Sequence, residues 1–166
     1  MYNKICLTNI LILSYFFRTI ISNESISEIT ITIEGNGNQY ILNNQEVEGY
    51  SFNNIPSEVI INGITKDYQN SYEYELLSEE NIITIKWNYS ITNCDVMFYQ
   101  MTRIITIDLS KFDSSNVISM YKMFSQCTSL ISLNLNNLDT SLVTDMRDIF
   151  SDCSSLKVLD LSEFKT

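Results

Sequence analysis

Apolar side chains in the second half of this chain recur at a fixed interval of 26 residues, and few local patterns restrict a fold as tightly. Cys94, Met97, Phe98, Met101, Ile104, Ile107, Leu109 and Phe112 are followed in step by Met120, Met123, Phe124, Cys127, Leu130, Leu133, Leu135 and Leu138. A third copy supplies Met146, Ile149, Phe150, Cys153, Leu156, Leu159, Leu161 and Phe164. A period of this length implies a stack of like units, each burying its apolar face only against its neighbours.

The two apolar groups of a copy have different spacings. Met120, Met123, Phe124 and Cys127 fall at i, i+3, i+4 and i+7, the face of a short helix, and Asn93, Ser119 and Asp145 stand where such helices would take their N-caps. Helices are therefore expected over residues 94–101, 120–127 and 146–153. The second group repeats L-x-x-L-x-L-x-x-F/L, a short strand with alternate residues inward, pairing in parallel with the next copy. Asp113-Ser114-Ser115 and Asp139-Thr140-Ser141 supply turn chemistry after the first two strands. The expected fold class is α/β, a short leucine-rich-repeat solenoid over residues 91–166. Cys and Met exchange at the same repeat positions, so the cysteines are expected to be buried thiols.

The run Phe112-Asp113-Ser114-Ser115-Asn116-Val117, then Met120-Tyr121-Lys122-Met123-Phe124-Ser125-Gln126-Cys127-Thr128-Ser129-Leu130, resembles the BspA-like leucine-rich-repeat surface proteins of bacteria and protists. The next copy keeps Val143-Thr144-Asp145-Met146 and Phe150-Ser151-Asp152-Cys153-Ser154-Ser155-Leu156. The resemblance implies secretion or surface display, a role in adhesion or ligand contact, and no enzymatic activity. The small number of repeats, Leu142 and Cys94 depart from the family pattern.

Residues 23–90 lack the period. Ile29-Thr30-Ile31-Thr32-Ile33 alternates as a strand, and Gly35-Asn36-Gly37-Asn38 predicts a hairpin after it. Further strands are expected over residues 39–42, 58–61, 72–76 and 81–87, with Asn62-Gly63 as a tight turn. Together they predict a small antiparallel β domain, whose expected task is to cover the first repeat; an independent adhesion module is the alternative. Before it, Lys4, the apolar stretch over residues 5–17 and Ser22 resemble a secretory signal peptide over residues 1–22, despite Arg18. An uncleaved anchor is the competing reading. Asn23-Glu24-Ser25 and Asn88-Tyr89-Ser90 are glycosylation sequons consistent with export.

With 20 acidic and 10 basic residues, the chain carries a net charge of −10. That balance disfavours nucleic acid and direct membrane binding, leaving proteins, neutral glycans and cations. The chain contains no histidine, so the usual general base and commonest neutral metal ligand are missing. No zinc or calcium motif is present, and neither a cofactor nor a metal is expected.

Strand residues turned away from the core form polar rows, and these are the candidate ligand-binding residues. The central row is Asp108, Asn134 and Asp160; its flanks are Thr106 and Ser132, with Val158 at the third position but not a candidate, and Ser110, Asn136 and Ser162. Parallel stacking would set like residues about 4.8 Å apart, suited to a protein or glycan on another surface. The leading expectation is a secreted or cell-surface recognition or adhesion module. A spacer within a longer repeat protein is the alternative. A hydrolase using Asp108 and Asp160 comes third, since no pocket or second functional group accompanies them. The sequence stops at Thr166, just past the third expected strand, so an open edge, either continued in a longer chain or paired with a second copy, is also expected.

Overall fold

The computed structural model describes residues 27–67, 72–162 and 164. The expected signal segment and the Asn23 sequon lie outside them. Among the described residues eight strands are formed: β1 (Ser27–Glu34), β2 (Gly37–Tyr40), β3 (Glu58–Ile61), β4 (Ile64–Lys66), β5 (Glu73–Leu76), β6 (Glu80–Trp87), β7 (Ile104–Lys111) and β8 (Ser132–Asn134). Six of them make one mixed sheet in the order β4-β3-β6-β1-β7-β8, and β2 pairs with β5 in a second, smaller sheet.

The sequence of β1 explains its central place. Ile29, Ile31 and Ile33 are all buried, while the residues between them face the other way. β6 lies antiparallel along its whole length, from Ser27 opposite Trp87 to Glu34 opposite Glu80. The other edge of β1 pairs antiparallel with β7, the strand of the first repeat. The hairpin expected after Ile33 does not form, because both edges of β1 are taken by strands of its own length, and the short, exposed β2 joins β5 instead. Asn62 and Gly63, with φ of 51° and 80°, link β3 to β4 in the positive-φ pair typical of a two-residue hairpin. Trp87 ties the layers together: its indole N–H donates to the Asn54 carbonyl at 3.0 Å, and Phe52 and the repeat's Phe112 meet it edge-on.

The expected α/β solenoid is not what the chain builds. Among the described residues there is no helix, and the sheet is mixed. Each segment read as a helix is two successive four-residue turns. In the second copy, the Met123 amide bonds the Met120 carbonyl at 3.2 Å, and Cys127 bonds Phe124 at 3.2 Å. The third residue of each turn has positive φ, Lys122 at 51° and Gln126 at 62°; Val96, Gln100, Asp148 and Asp152 repeat the pattern in the other copies. A left-handed residue at that position suits a type II turn and breaks a helix. Since every turn begins and ends on an inward residue, two turns in series reproduce the i, i+3, i+4, i+7 spacing of a helical face.

Alternate amides, freed from helical bonding, reach the next copy. Cys94, Val96, Phe98 and Gln100 donate to the carbonyls of Ser119, Tyr121, Met123 and Ser125 at 2.8–3.0 Å. Met120, Lys122, Phe124 and Gln126 do the same to Asp145, Arg147, Ile149 and Ser151. Backbone groups that a helix satisfies internally are thus satisfied between copies. Phe98, Phe124 and Phe150 stack at 5.9 and 5.6 Å between centroids with nearly parallel planes. Asn93 and Asp145, expected as helix caps, accept the amides of Asp95 and Arg147 two residues on, but at the head of turns and not of helices.

The repeat strands shorten along the stack. β7 has eight residues and β8 three, and no strand forms across residues 156–161. The corresponding leucines become more exposed, from 0% at Leu109 and 6% at Leu135 to 43% at Leu161. The parallel three-strand sheet expected from the repeats is therefore only a β7–β8 pair, extended on its other side by β1.

Candidate functional site

The face of the main sheet opposite the core is polar and spans both halves of the chain. Strand register brings Thr84, Thr30, Asp108 and Asn134 into one row across β6, β1, β7 and β8. Beside it, Ile82, Thr32, Thr106 and Ser132 form a second row. The hydroxyl of Thr106 donates to that of Thr32 at 2.8 Å, and the Asn134 amide donates to Asp108 Oδ1 at 3.0 Å. Along the rim, Glu58 pairs with Lys86 at 2.8 Å and Glu28 with Lys111 at 2.9 Å, so charge is balanced at one end of the face.

Of the residues singled out from the sequence, Thr106, Asp108, Ser132 and Asn134 are brought together here. Ser110 continues β7, whereas Asn136 follows β8 and is exposed. Val158, Asp160 and Ser162 lie beyond the sheet. The threonines of β1 and β6 were not in the expected rows. The alternation of Thr30 and Thr32 was visible, but nothing in the sequence announces that β1 pairs with a strand 74 residues later.

The central row also has a backbone task. Oδ1 of Asp108, Asn134 and Asp160 accepts the amide of Ser110, Asn136 and Ser162 respectively, at 2.8, 3.1 and 2.9 Å. Asp or Asn at this phase thus bonds the amide two residues on in every copy, within β7, at the end of β8 and, at Asp160, where no strand forms. The Ser162 hydrogen bonds hold the Asp160 carboxyl below the usual carboxylate range. Asp113 and Asp139 bond the amides of Ser115 and Ser141 in the same way, as their turn assignment requires.

A second polar cluster fastens the early loop onto the repeats. Glu48 and Gly49, both at positive φ, turn the chain so that the Val47 and Tyr50 backbones pair. Glu48 then accepts from the Tyr121 hydroxyl at 2.5 Å and from Lys122 at 2.9 Å. The Tyr121 bond, followed by that of Lys122, lowers the Glu48 carboxyl from its ordinary value. Arg147 lies over the Tyr121 ring at 5.0 Å and donates to the Tyr50 hydroxyl at 2.9 Å. These charges are spent within the molecule.

The three described cysteines are free, with Cys94 and Cys127 buried and Cys153 partly so. Loss of solvent pushes the Cys127 thiol up to about 12 and raises Cys94 further, helped by the charge of Asp95. Both are expected to escape iodoacetamide at pH 8 and to react once urea unfolds the chain, read by mass spectrometry. A raised thiol pKa stabilises the fold fully below the ordinary thiol range and loses that contribution as pH rises. Stability should therefore decline as pH climbs above 9 toward 12, the interval between the ordinary and shifted values of Cys127.

Residues 68–166, from just before β5 through all three repeats, match the family model described as "Mycoplasma protein of unknown function, DUF285". The chain belongs to this family. No curated protein and no solved structure matches the chain. The DUF285 match covers β5 to β8, whereas β1, which supplies the middle of the polar face, lies before it.

Proposed function

We propose that this DUF285 chain is a secreted or cell-surface recognition module that holds a protein partner against the polar face of its main sheet. The observation that carries the reading is the unbroken row Thr84-Thr30-Asp108-Asn134, built from both halves of the chain. Six strands at about 4.8 Å spacing give a face ~24 Å wide, a flat surface suited to another protein. Short hydroxyl and amide side chains leave such a face easy to dehydrate, and Ile82, 54% exposed, and Ile60 add apolar contact. The resemblance to BspA-like repeats and the exposed Asn88 sequon belong with the same reading.

The test is binding of the fluorescently labelled full chain to intact host cells, by flow cytometry, before and after trypsin treatment of the cells. Thr84→Arg places a long cation in the middle of the face and is expected to reduce binding at least about tenfold, a loss of roughly 1.4 kcal/mol, with the circular dichroism spectrum unchanged. Trypsin treatment is expected to abolish the signal. Undiminished binding by a folded Thr84→Arg variant removes the sheet face from consideration. The bonds from Asp108, Asn134 and Asp160 to their own backbone favour a second reading, a spacer with no ligand of its own. A spacer shows no saturable binding in this assay, with or without trypsin.

A further inference from the structure

We propose that a groove at the junction of the early β region and the first repeat is a separate binding site for a short neutral oligosaccharide. It goes beyond the sheet-face reading and stands without it. Two adjoining clefts, of about 140 and 120 Å³, share Tyr40, Gln100 and Met101. Gln39 and Arg103 complete one end, and Asn44, Gln45 and Tyr99 the other.

The walls are fixed from both sides. The Asn43 amide donates to the Met97 carbonyl at 2.8 Å, and the Glu34 amide to the Arg103 carbonyl at 3.0 Å. The Asn43 side chain braces the Gln45 backbone through two hydrogen bonds. On the repeat side, Gln100 donates to Gln126 at 2.9 Å, and the Tyr99 hydroxyl accepts from Gln100 at 3.2 Å. Gly35 has φ of 93°, a conformation that favours glycine, and a Cβ built there would stand 2.6 Å from Arg103 Nη1, so the guanidinium lies directly against this turn. Among the described residues, the four ion pairs engage Lys86, Lys111, Lys122 and Arg147, and Arg103 is in none of them.

The chemistry of this lining selects the ligand. Glutamine and asparagine amides both donate and accept, which hydroxyl pairs require, and a guanidinium fork donates to adjacent oxygens. Tyr40 is 41% exposed, and the electron-rich face of such a ring receives the C–H face of a sugar. A few convergent polar groups around a partly apolar cleft are the usual make-up of a small-ligand site. The net charge of −10 works against a polyanionic saccharide, which leaves neutral sugars.

The experiment is a titration of the isotope-labelled full chain with chitotetraose, cellotetraose, maltotetraose and mannotetraose at millimolar concentration, followed by amide NMR shifts, with a hyaluronan tetrasaccharide as the charged control. At least one neutral sugar is expected to shift the amides of Tyr40, Gln100, Thr102 and Arg103. Tyr40→Ala is expected to weaken that binding about tenfold or more through loss of the ring face. Gln100→Asn introduces a residue that tolerates the left-handed backbone but withdraws the amide, and is expected to weaken it as well. The amide spectrum of each variant reports whether the fold is kept. The proposal is overturned if none of the four neutral sugars shifts these amides. Equal binding of hyaluronan, or unchanged affinity in both folded variants, overturns it too.

Discussion

Phe124→Ala is expected to lower the unfolding free energy by about 3–5 kcal/mol, a large part of the ~5–15 kcal/mol that holds a domain together. Phe124 is fully buried, and its ring is sandwiched between Phe98 and Phe150 at 5.9 and 5.6 Å. Truncation opens a cavity in contact with two other copies, and neither neighbour can fill it without leaving its own turn. Its backbone is also committed, since the Phe124 amide donates to Ile149 and its carbonyl accepts from Cys127. Phe124→Leu keeps most of the volume and is expected to cost less than about 2 kcal/mol. Urea unfolding followed by the fluorescence of Trp87 measures both. Equal losses for the two variants would mean that the aromatic ring itself, and not the space it fills, carries the contribution.

Asp95→Ala is expected to cost about 3–5 kcal/mol, although it removes a charge from the interior. Asp95 is 3% exposed and accepts from the Ser119 hydroxyl at 2.5 Å, the Tyr121 amide at 2.7 Å and the Asn93 amide at 2.8 Å. Two of these donors belong to the next copy, so the carboxylate fastens one repeat to another. Alanine strands three donors in a place that water barely reaches. Asp95→Asn keeps Oδ1 as an acceptor but sets an NH2 against that of Asn93, and is expected to fall between the wild type and Asp95→Ala. In a double-mutant cycle, Ser119→Ala is expected to cost about 1 kcal/mol alone and almost nothing on the Asp95→Ala background. Additive losses would show that the two side chains act independently.

The repeat period and the inward residues were readable from the chain; the helix caps expected at Asn93, Ser119 and Asp145 stand at turns, since no helix forms among the described residues. The conformation between the inward residues was not readable. Helix and paired turns place Met120, Met123, Phe124 and Cys127 on the same side, so spacing alone cannot separate them. The residues that decide, Val96, Gln100, Lys122, Gln126, Asp148 and Asp152, are not glycines, and only Asp among them commonly favours the left-handed region. What holds them there is the bonding of alternate amides to the next copy, a long-range property invisible in one window of sequence. The candidate face was half legible for a related reason. Asp108 and Asn134 were visible through the repeat, but Thr30 and Thr84 belong to segments with no period. The expected place of Asp160 in the row failed with the third strand.

The central position of β1 has a kinetic consequence. Both of its partners are made after it, and Thr32 waits for Thr106, 74 residues further along the chain. At 5–20 residues per second, synthesis of that interval takes about 4–15 s. Through that time Ile29, Ile31 and Ile33 have no β7 edge to complete their shelter. Contacts this distant in sequence raise the contact order and slow folding. The early strand is accordingly where a holding chaperone has the most to do, and refolding is expected to become concentration-sensitive when β7 is damaged rather than when β8 is.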